Sequence, residues 1–308
     1  VALTLEDVLI ARQRLSGGLV QTPVMHSAEL NALAGAELFF KCEQLQMTGS
    51  FKARGALNAV RSLPDNVAQH GVATHSSGNH GAALAWAAKS RGIPAHIVVP
   101  ENAPPIKKSN IRQQGGIIIE CESNLHAREA TLASVVAKTG AHYVPPYDDA
   151  RIIAGQGTAS LELMAAVDQL DDIITPVGGG GLLAGTLVAM PGRLRVYGAE
   201  PSMADDAYRS FTTGNRVLSH SPKTIADGLQ TTLGALNFEI IRQQCAGILL
   251  VSEEEILAAM ALIVTKLDQV VEPSSAVTLA AVLRYPKIFS ERRVGLILTG
   301  GNLSTSAH

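Results

Sequence analysis

GVATHSSGNHGAALAWAAKSRGIPAHIVVP, residues 71–100, is the stretch that decides the fold. It opens on the short strand-like run GVATHS, and a polar turn of small residues follows. Residues 81–91 then read as a helix rich in alanine, broken at Gly92 and Pro94 before the apolar strand AHIVVP. Strand, helix and strand in so few residues is the pattern of parallel strands joined by a crossover helix.

The alternation spreads outward from there. Downstream come a helix over 105–115, the strand GIIIEC and a helix over 124–139. Upstream, Leu5, Val8, Leu9, Ala11 and Leu15 mark a helix over 4–17, with Thr4 as its cap and Gly17-Gly18 as its stop. Thr22-Pro23 starts an extended piece, and Ala36–Cys42 reads as a strand. Beyond residue 150, IAGQGTASLELMAAV is a helix and DDIITPV, RLRVYGAEP and GILLVS are strands. Helices over 253–268 and 274–284 precede a last strand, VGLILT. There are no internal repeats. At 308 residues the chain is long enough for two cores.

Composition narrows the function classes. A net charge of −2 with no basic run argues against nucleic acid. No apolar run approaches the ~18–20 residues of a membrane span, and VALTLEDVLIARQRL does not read as a signal peptide. Cys42, Cys121 and Cys245 are odd in number and widely spaced, which suits a reducing cytoplasm.

Three short stretches carry chemistry. In Ser50-Phe51-Lys52-Ala53-Arg54-Gly55-Ala56 a lysine opens an apolar helix-forming run. The helix dipole and burial there both disfavour an ammonium, and a lysine of lowered pKa is a nucleophile toward carbonyls. A lone lysine beside a cap is more often a surface residue. Ser76-Ser77-Gly78-Asn79-His80-Gly81 lies between strand and helix, where backbone N–H groups can face an anion such as a substrate carboxylate. Gly178-Gly179-Gly180-Gly181-Leu182 repeats the arrangement after the strand DDIITPV. Without Cβ atoms the backbone can wrap a phosphate at the helix start. It is neither a Walker loop nor GxGxxG. Each glycine run alone is weak, but lysine, anion loop and phosphate loop in this order are specific.

GSFKARGALNAV, THSSGNHGAALAWAAKSRGIPAHIVVP, IAGQGTASLEL, VGGGGLLAG, YGAEPSMADDAY, TIADGL, VVEPSSAV and LTGGNLS together resemble the serine/threonine dehydratase and serine racemase family. These are pyridoxal-phosphate enzymes of the tryptophan-synthase-β fold type, and the likeness runs over the whole chain. It is strongest to eukaryotic-type serine racemases and their bacterial dehydratase relatives. The resemblance implies an α/β fold with two open, mostly parallel twisted sheets flanked by helices. It also implies a large cofactor-binding domain of residues 1–70 and 149–308, a small domain of 71–148, and a homodimer.

By the same resemblance Lys52 holds pyridoxal 5'-phosphate as a Schiff base and then serves as base at the substrate α-carbon. Phe51 lies against the cofactor ring, Asn79 donates to its hydroxyl, and Gly178, Gly179, Gly180, Gly181 and the N–H of Leu182 take the phosphate. Thr299 faces the pyridine nitrogen. A neutral hydroxyl there leaves the ring unprotonated and a weaker electron sink than an aspartate would, which favours loss of a β-hydroxyl. Ser77 stands on the face opposite Lys52, as a proton donor for racemisation or as a carboxylate binder only. Ser76, Asn79, His80 and Arg128 complete the substrate set.

Glu200 and Asp206, with the Ala204 carbonyl between them, match the family's divalent-cation site, for magnesium or calcium. Read blind, AEPSMADDAY is a solvated acidic turn. Met47 replaces a lysine that animal serine racemases use for a nucleotide effector, and Ala28 and Glu29 also differ, so activation by ATP is not expected. Tyr147 and Ala82 replace an asparagine and a glutamine of the racemases. Biosynthetic threonine dehydratases often carry a C-terminal regulatory domain, and a sequence ending at His308 sets the expectation of none.

The expected reaction is dehydration of a β-hydroxy amino acid such as L-serine, L-threonine or 3-hydroxyaspartate to a 2-oxo acid and ammonia. Two alternatives stay open: a serine or aspartate racemase, with both activities together possible in one site, and a silent amino-acid-binding homologue.

Overall fold

In the computed structural model, which describes residues 3–303, the alternation resolves into two sheets. The strands among the described residues are β1 (Val24–Met25), β2 (Glu37–Cys42), β3 (Val72–His75), β4 (Ala95–Pro100), β5 (Ile117–Cys121), β6 (His142–Tyr143), β7 (Asp172–Pro176), β8 (Arg195–Pro201), β9 (Gly247–Val251) and β10 (Arg293–Leu298). A four-stranded sheet runs β5-β4-β3-β6, with every pairing parallel. A six-stranded sheet runs β1-β2-β10-β7-β8-β9, where only the β1 pairing is antiparallel. The fold is therefore α/β with two open, mostly parallel sheets.

The last strand of the chain lies in the middle of the larger sheet, between β2 and β7. Its run Val294, Leu296, Ile297, Leu298 is fully buried, as a parallel strand covered on both faces requires. The helix Lys52–Ser62 packs on the helix Asn79–Ser90 through Ala56, Leu57, Val60 and Leu84, in one core with Val72 and Ile97 of the smaller sheet. The helices Ala150–Ala166 and Gly181–Ala189 cross so closely that a Cβ on Gly157 would lie 2.5 Å from the Gly185 carbonyl. The glycines of IAGQGT and LLAG are there for that approach.

The helix read over 4–17 is found at Leu5–Leu15, with Thr4 and Asp7 forming a capping box. The helix Ala235–Gln244 was not read from the sequence, for a physical reason. Its N-cap is Gly234, and its first N–H groups are met by Asp148, 87 and 88 residues away. No local capping signal exists. Strand β6 is two residues long and has no alternation to read.

Both sheets aim the carboxyl ends of their strands at one region. The loop after β3 is Ser76–Gly78, that after β7 is 177–180, and that after β10 is 299–301. Open parallel sheets bind ligands outside the carboxyl ends of their strands.

Candidate active site

Lys52 is the first residue of the Lys52–Ser62 helix, with Phe51 as its N-cap. Its position is fixed by the neighbouring turn, where the Phe51 N–H donates to the Thr299 carbonyl at 3.0 Å and Ser50 bridges Gly300. The Lys52 ammonium donates to the Pro146 carbonyl at 2.9 Å and sits 5.1 Å from the centre of the Phe51 ring. Loss of water around the amine pushes its pKa down to about 8, against a smaller opposing pull from the Glu272 carboxylate.

The smaller sheet brings the anion loop. Asn79 opens the Asn79–Ser90 helix behind Gly78, so Ser76 and Ser77 sit half-buried between β3 and that helix. The Asn79 side chain is held at both ends. Its amide nitrogen donates to the two Glu272 oxygens at 3.0 and 3.1 Å, and its oxygen accepts from Asn302 at 2.9 Å. His80 is buried, with Nε2 at 3.1 Å from the Val144 carbonyl and Nδ1 unpaired. Burial and the nearby Lys52 push it down to about 3, so its ring is neutral. Burial, helped by the Arg128 charge, lowers the His75 pKa, and the buried Arg128 Nε has no hydrogen-bond partner among the described residues.

The larger sheet supplies the glycine loop. Gly180 caps the Gly181–Ala189 helix at φ +88°, a conformation that favours glycine. A Cβ on Gly179 would stand 2.2 Å from the Tyr147 ring, so the loop and that ring are in direct contact. Leu182 is buried with Phe51, Ala159 and Ile297. Thr299 is buried just beyond β10, and its Oγ1 lies 3.0 Å from the Ser275 hydroxyl. Ser275 also accepts from the Gly300 N–H at 2.8 Å and donates to the Gly300 carbonyl at 2.7 Å.

The structure thus brings Lys52, the Ser76–His80 loop, Gly178–Leu182 and Thr299 to one region. Glu272, Ser275 and Asn302 join them and were not singled out from the sequence. Glu272 and Ser275 lie inside VVEPSSAV, so the signal was present without a role attached to it. Burial raises Glu272 to about 7.

Glu200 and Asp206 meet away from this cluster, at the end of β8 and the start of the Asp206–Thr213 helix. Both are buried. Glu200 accepts from the N–H groups of Tyr208 at 2.6 Å and Ala207 at 3.3 Å, so one of its tasks is to cap that helix. Desolvation holds the pKa of Glu200 well above the usual carboxylate range and raises Asp206 to about 7. Asp206 Oδ2 accepts from the Leu233 N–H, while Oδ1 faces the His220 Nε2 at 3.2 Å. No cluster of three or more His, Cys, Asp or Glu side chains suited to a metal occurs among the described residues.

A buried amine of lowered pKa beside two turns of small residues, each at a helix start, is an arrangement that suits a phosphate-bearing carbonyl cofactor. The glycine loop tolerates no Cβ at Gly179, and the amine has no paired carboxylate, so the residues present fit pyridoxal phosphate. The comparisons agree. Residues 15–300 match the family model described as pyridoxal-phosphate dependent enzyme, and the chain belongs to that family. It is 49% identical to beta-hydroxyaspartate dehydratase of Paracoccus denitrificans, over 97% of this chain and 96% of the other. The crystal structure of serine racemase from Dictyostelium discoideum superposes with a TM-score of 0.94 at 46% identity, covering 98% of this chain and 99% of that one. Maize serine racemase superposes at 0.97 and 40% identity, over 99% and 95%.

Proposed function

We propose that this chain is an ammonia-lyase that dehydrates β-hydroxy amino acids, 3-hydroxyaspartate foremost and L-serine and L-threonine less readily, to a 2-oxo acid and ammonia. The observation that carries it is the Lys52 amine, depressed to about 8 and set between the anion loop and the glycine loop. Pyridoxal phosphate, when bound, supplies the carbonyl that condenses with the substrate amine and the ring that draws electrons from its α-carbon. Lys52 would hold it through its amine, and the same amine would serve as the base for the α-proton.

The N–H groups at the start of the Asn79–Ser90 helix, with Ser76 and Ser77, bind the α-carboxylate. Arg128, half-buried, has a buried Nε without a hydrogen-bond partner among the described residues, which suits a second carboxylate on the substrate. That supports the hydroxy-diacid. Neutral His80 anchors the loop through Val144. Phe51 would pack against the ring, Asn79 would hold its hydroxyl, and the N–H groups of Gly178 to Leu182 would hold the phosphate.

Thr299 would meet the ring nitrogen, a reading supported by its burial just beyond β10. Ser275 spends its one hydrogen on the Gly300 carbonyl, so the Thr299 hydroxyl donates to Ser275 and would have to turn that hydrogen toward the nitrogen.

A second reading, racemase activity at the same site, rests on Ser77 in the loop across from Lys52. Assays of 3-hydroxyaspartate, L-serine, L-threonine and D-serine for 2-oxo acid, with chiral chromatography of serine, test both readings. Ser77→Ala should abolish interconversion of serine enantiomers and keep a measurable part of L-serine dehydration. No release of 2-oxo acid from any of the four would end the lyase reading.

The same reading takes Glu200, Asp206 and the Ala204 carbonyl as ligands for magnesium or calcium. Its support is the pair of buried carboxylates, Glu200 and Asp206, of which Asp206 Oδ1 is met only by the His220 ring at 3.2 Å among the described residues. We further take 71–148 as the small domain against 1–70 and 149–308, since β3 to β6 form a sheet of their own. Val20, Leu45 and Met47 expose apolar surface, which supports a homodimer. Free cysteines support a cytoplasmic site of action. No helix among the described residues is long and apolar enough to cross a membrane.

A further inference from the structure

Between the candidate cation site and the glycine loop lies a single short segment, Leu233 to Asn237. Asp206 Oδ2 accepts from the Leu233 N–H at 3.2 Å. The Leu233 side chain is buried against Gly180, where an added Cβ would come within 2.9 Å of it. The next residue, Gly234, donates its N–H to the Gly179 carbonyl at 3.1 Å. Asn237, wholly buried, donates Nδ2 to that same carbonyl at 2.6 Å and to the Tyr147 carbonyl at 3.3 Å.

The Gly179 carbonyl therefore receives two donors from one side. In a planar trans peptide the following N–H points the opposite way, so these bonds turn the Gly180 N–H away from Asn237. That N–H belongs to the cradle that would face a phosphate at the helix start.

We infer that Asn237, with Leu233 and Gly234, is a positioning unit that sets the aim of the Gly180 N–H and ties it to the Asp206 carboxylate, so that a cation at Glu200 and Asp206 tightens the hold on the cofactor phosphate. The linked half of the inference rests on the cation reading above, whereas the positioning half does not. Oδ1 now faces the His220 Nε2 at 3.2 Å; a cation that takes the place of that contact fixes the carboxylate plane and with it the acceptor for the Leu233 N–H. Coupling of this kind is reciprocal: the phosphate must favour the cation by the factor by which the cation favours the phosphate.

The experiment uses the holoenzyme. Loss of pyridoxal phosphate on dilution is followed with EDTA and with magnesium, alongside the ³¹P resonance of the bound cofactor and calorimetric titration of magnesium. In the parent, magnesium should slow cofactor loss by about fivefold or more, within the usual range of coupling between sites, and should move the ³¹P resonance. Asn237→Ala should still bind magnesium, but more weakly than the parent holoenzyme by the same factor of about five because the reciprocal coupling is gone, and should lose both responses. Magnesium that binds the parent without changing either readout overturns the linkage. If the parent takes up no magnesium or calcium, the cation reading fails, and the positioning unit is decided in EDTA alone. There Asp206→Ala, which removes the acceptor for Leu233, should shed cofactor faster than Asp206→Asn, which can keep one. Equal rates for the parent and both Asp206 variants, with Asn237→Ala matching them, would overturn the positioning role as well.

Discussion

Lys52 owes its chemistry to where its amine ends rather than to what surrounds it in sequence. An ordinary lysine near pKa 10.5 has a free-amine fraction at pH 7 of roughly one in three thousand. Held at about 8 by loss of hydration, Lys52 has roughly one in ten. The sign is that of a base whose folded pKa is depressed: the free amine dominates above about 8 and is lost as the pH falls below it. The rate at which cofactor-free protein captures pyridoxal phosphate should rise nearly tenfold per pH unit up to about 8 and level off above it. Stopped-flow absorbance of the attached cofactor measures this. A profile still climbing at pH 10 would mean an unshifted lysine. Glu272 opposes the depression, so Glu272→Gln should move the midpoint below that of the parent. Lys52 and Thr299 could be named as candidates from the sequence because each lies within its own motif. Glu272 and Asn302 acquire meaning only through Asn79, which is 193 and 223 residues distant. No local pattern encodes such a pairing.

Among the elements, the turn from β7 into the Gly181–Ala189 helix is the most constrained. Its glycines could be read from the sequence as a phosphate cradle, but not what forbids a side chain there. That is the Tyr147 ring, which arrives from the segment after β6. Contact of a Cβ at 2.2 to 2.5 Å from three ring atoms forces either the ring or the loop to move. Gly179→Ala should therefore weaken cofactor retention by at least tenfold while leaving far-UV circular dichroism unchanged. Adding Tyr147→Ala to it should restore much of the affinity, because the obstructing ring is gone. A double variant as poor as the single one would place the fault in the backbone of the loop itself. The helix Ala235–Gln244 teaches the complementary lesson, since its start depends on Asp148 from another part of the chain and could not be seen in its own residues.

For the whole molecule, the alternation of strands and helices was enough to give a parallel α/β fold, because periodicity reports burial directly, whereas its division into two sheets came from the family resemblance. What neither could give is the charge buried inside it. Arg54, Lys41 and Glu43 are all buried, and Glu162 closes the group with partial exposure. Arg54 forms forked pairs with Glu43 at 2.7 Å and with Glu162 at 2.7 Å, while Lys41 bonds Glu162 at 2.6 Å and the Thr22 carbonyl at 2.8 Å. The group joins β2, the turn after it, the lysine-bearing helix and the helix Ala150–Ala166. Two cations balance two carboxylates, so removing one member leaves a charge without water or partner. Such a break costs about 3–5 kcal/mol. Arg54→Met should destabilise by about that much, read as a lowered urea midpoint at unchanged slope. Arg54→Lys keeps the charge but cannot form two forks, and should fall between parent and Arg54→Met. Because the helix that Arg54 anchors begins at Lys52, the Lys variant should also retain full cofactor per folded molecule at low temperature. If Arg54→Met matched the parent in stability, the network would be neutral against a hydrophobic replacement. The join between the lysine helix and the larger sheet would then rest on apolar packing alone.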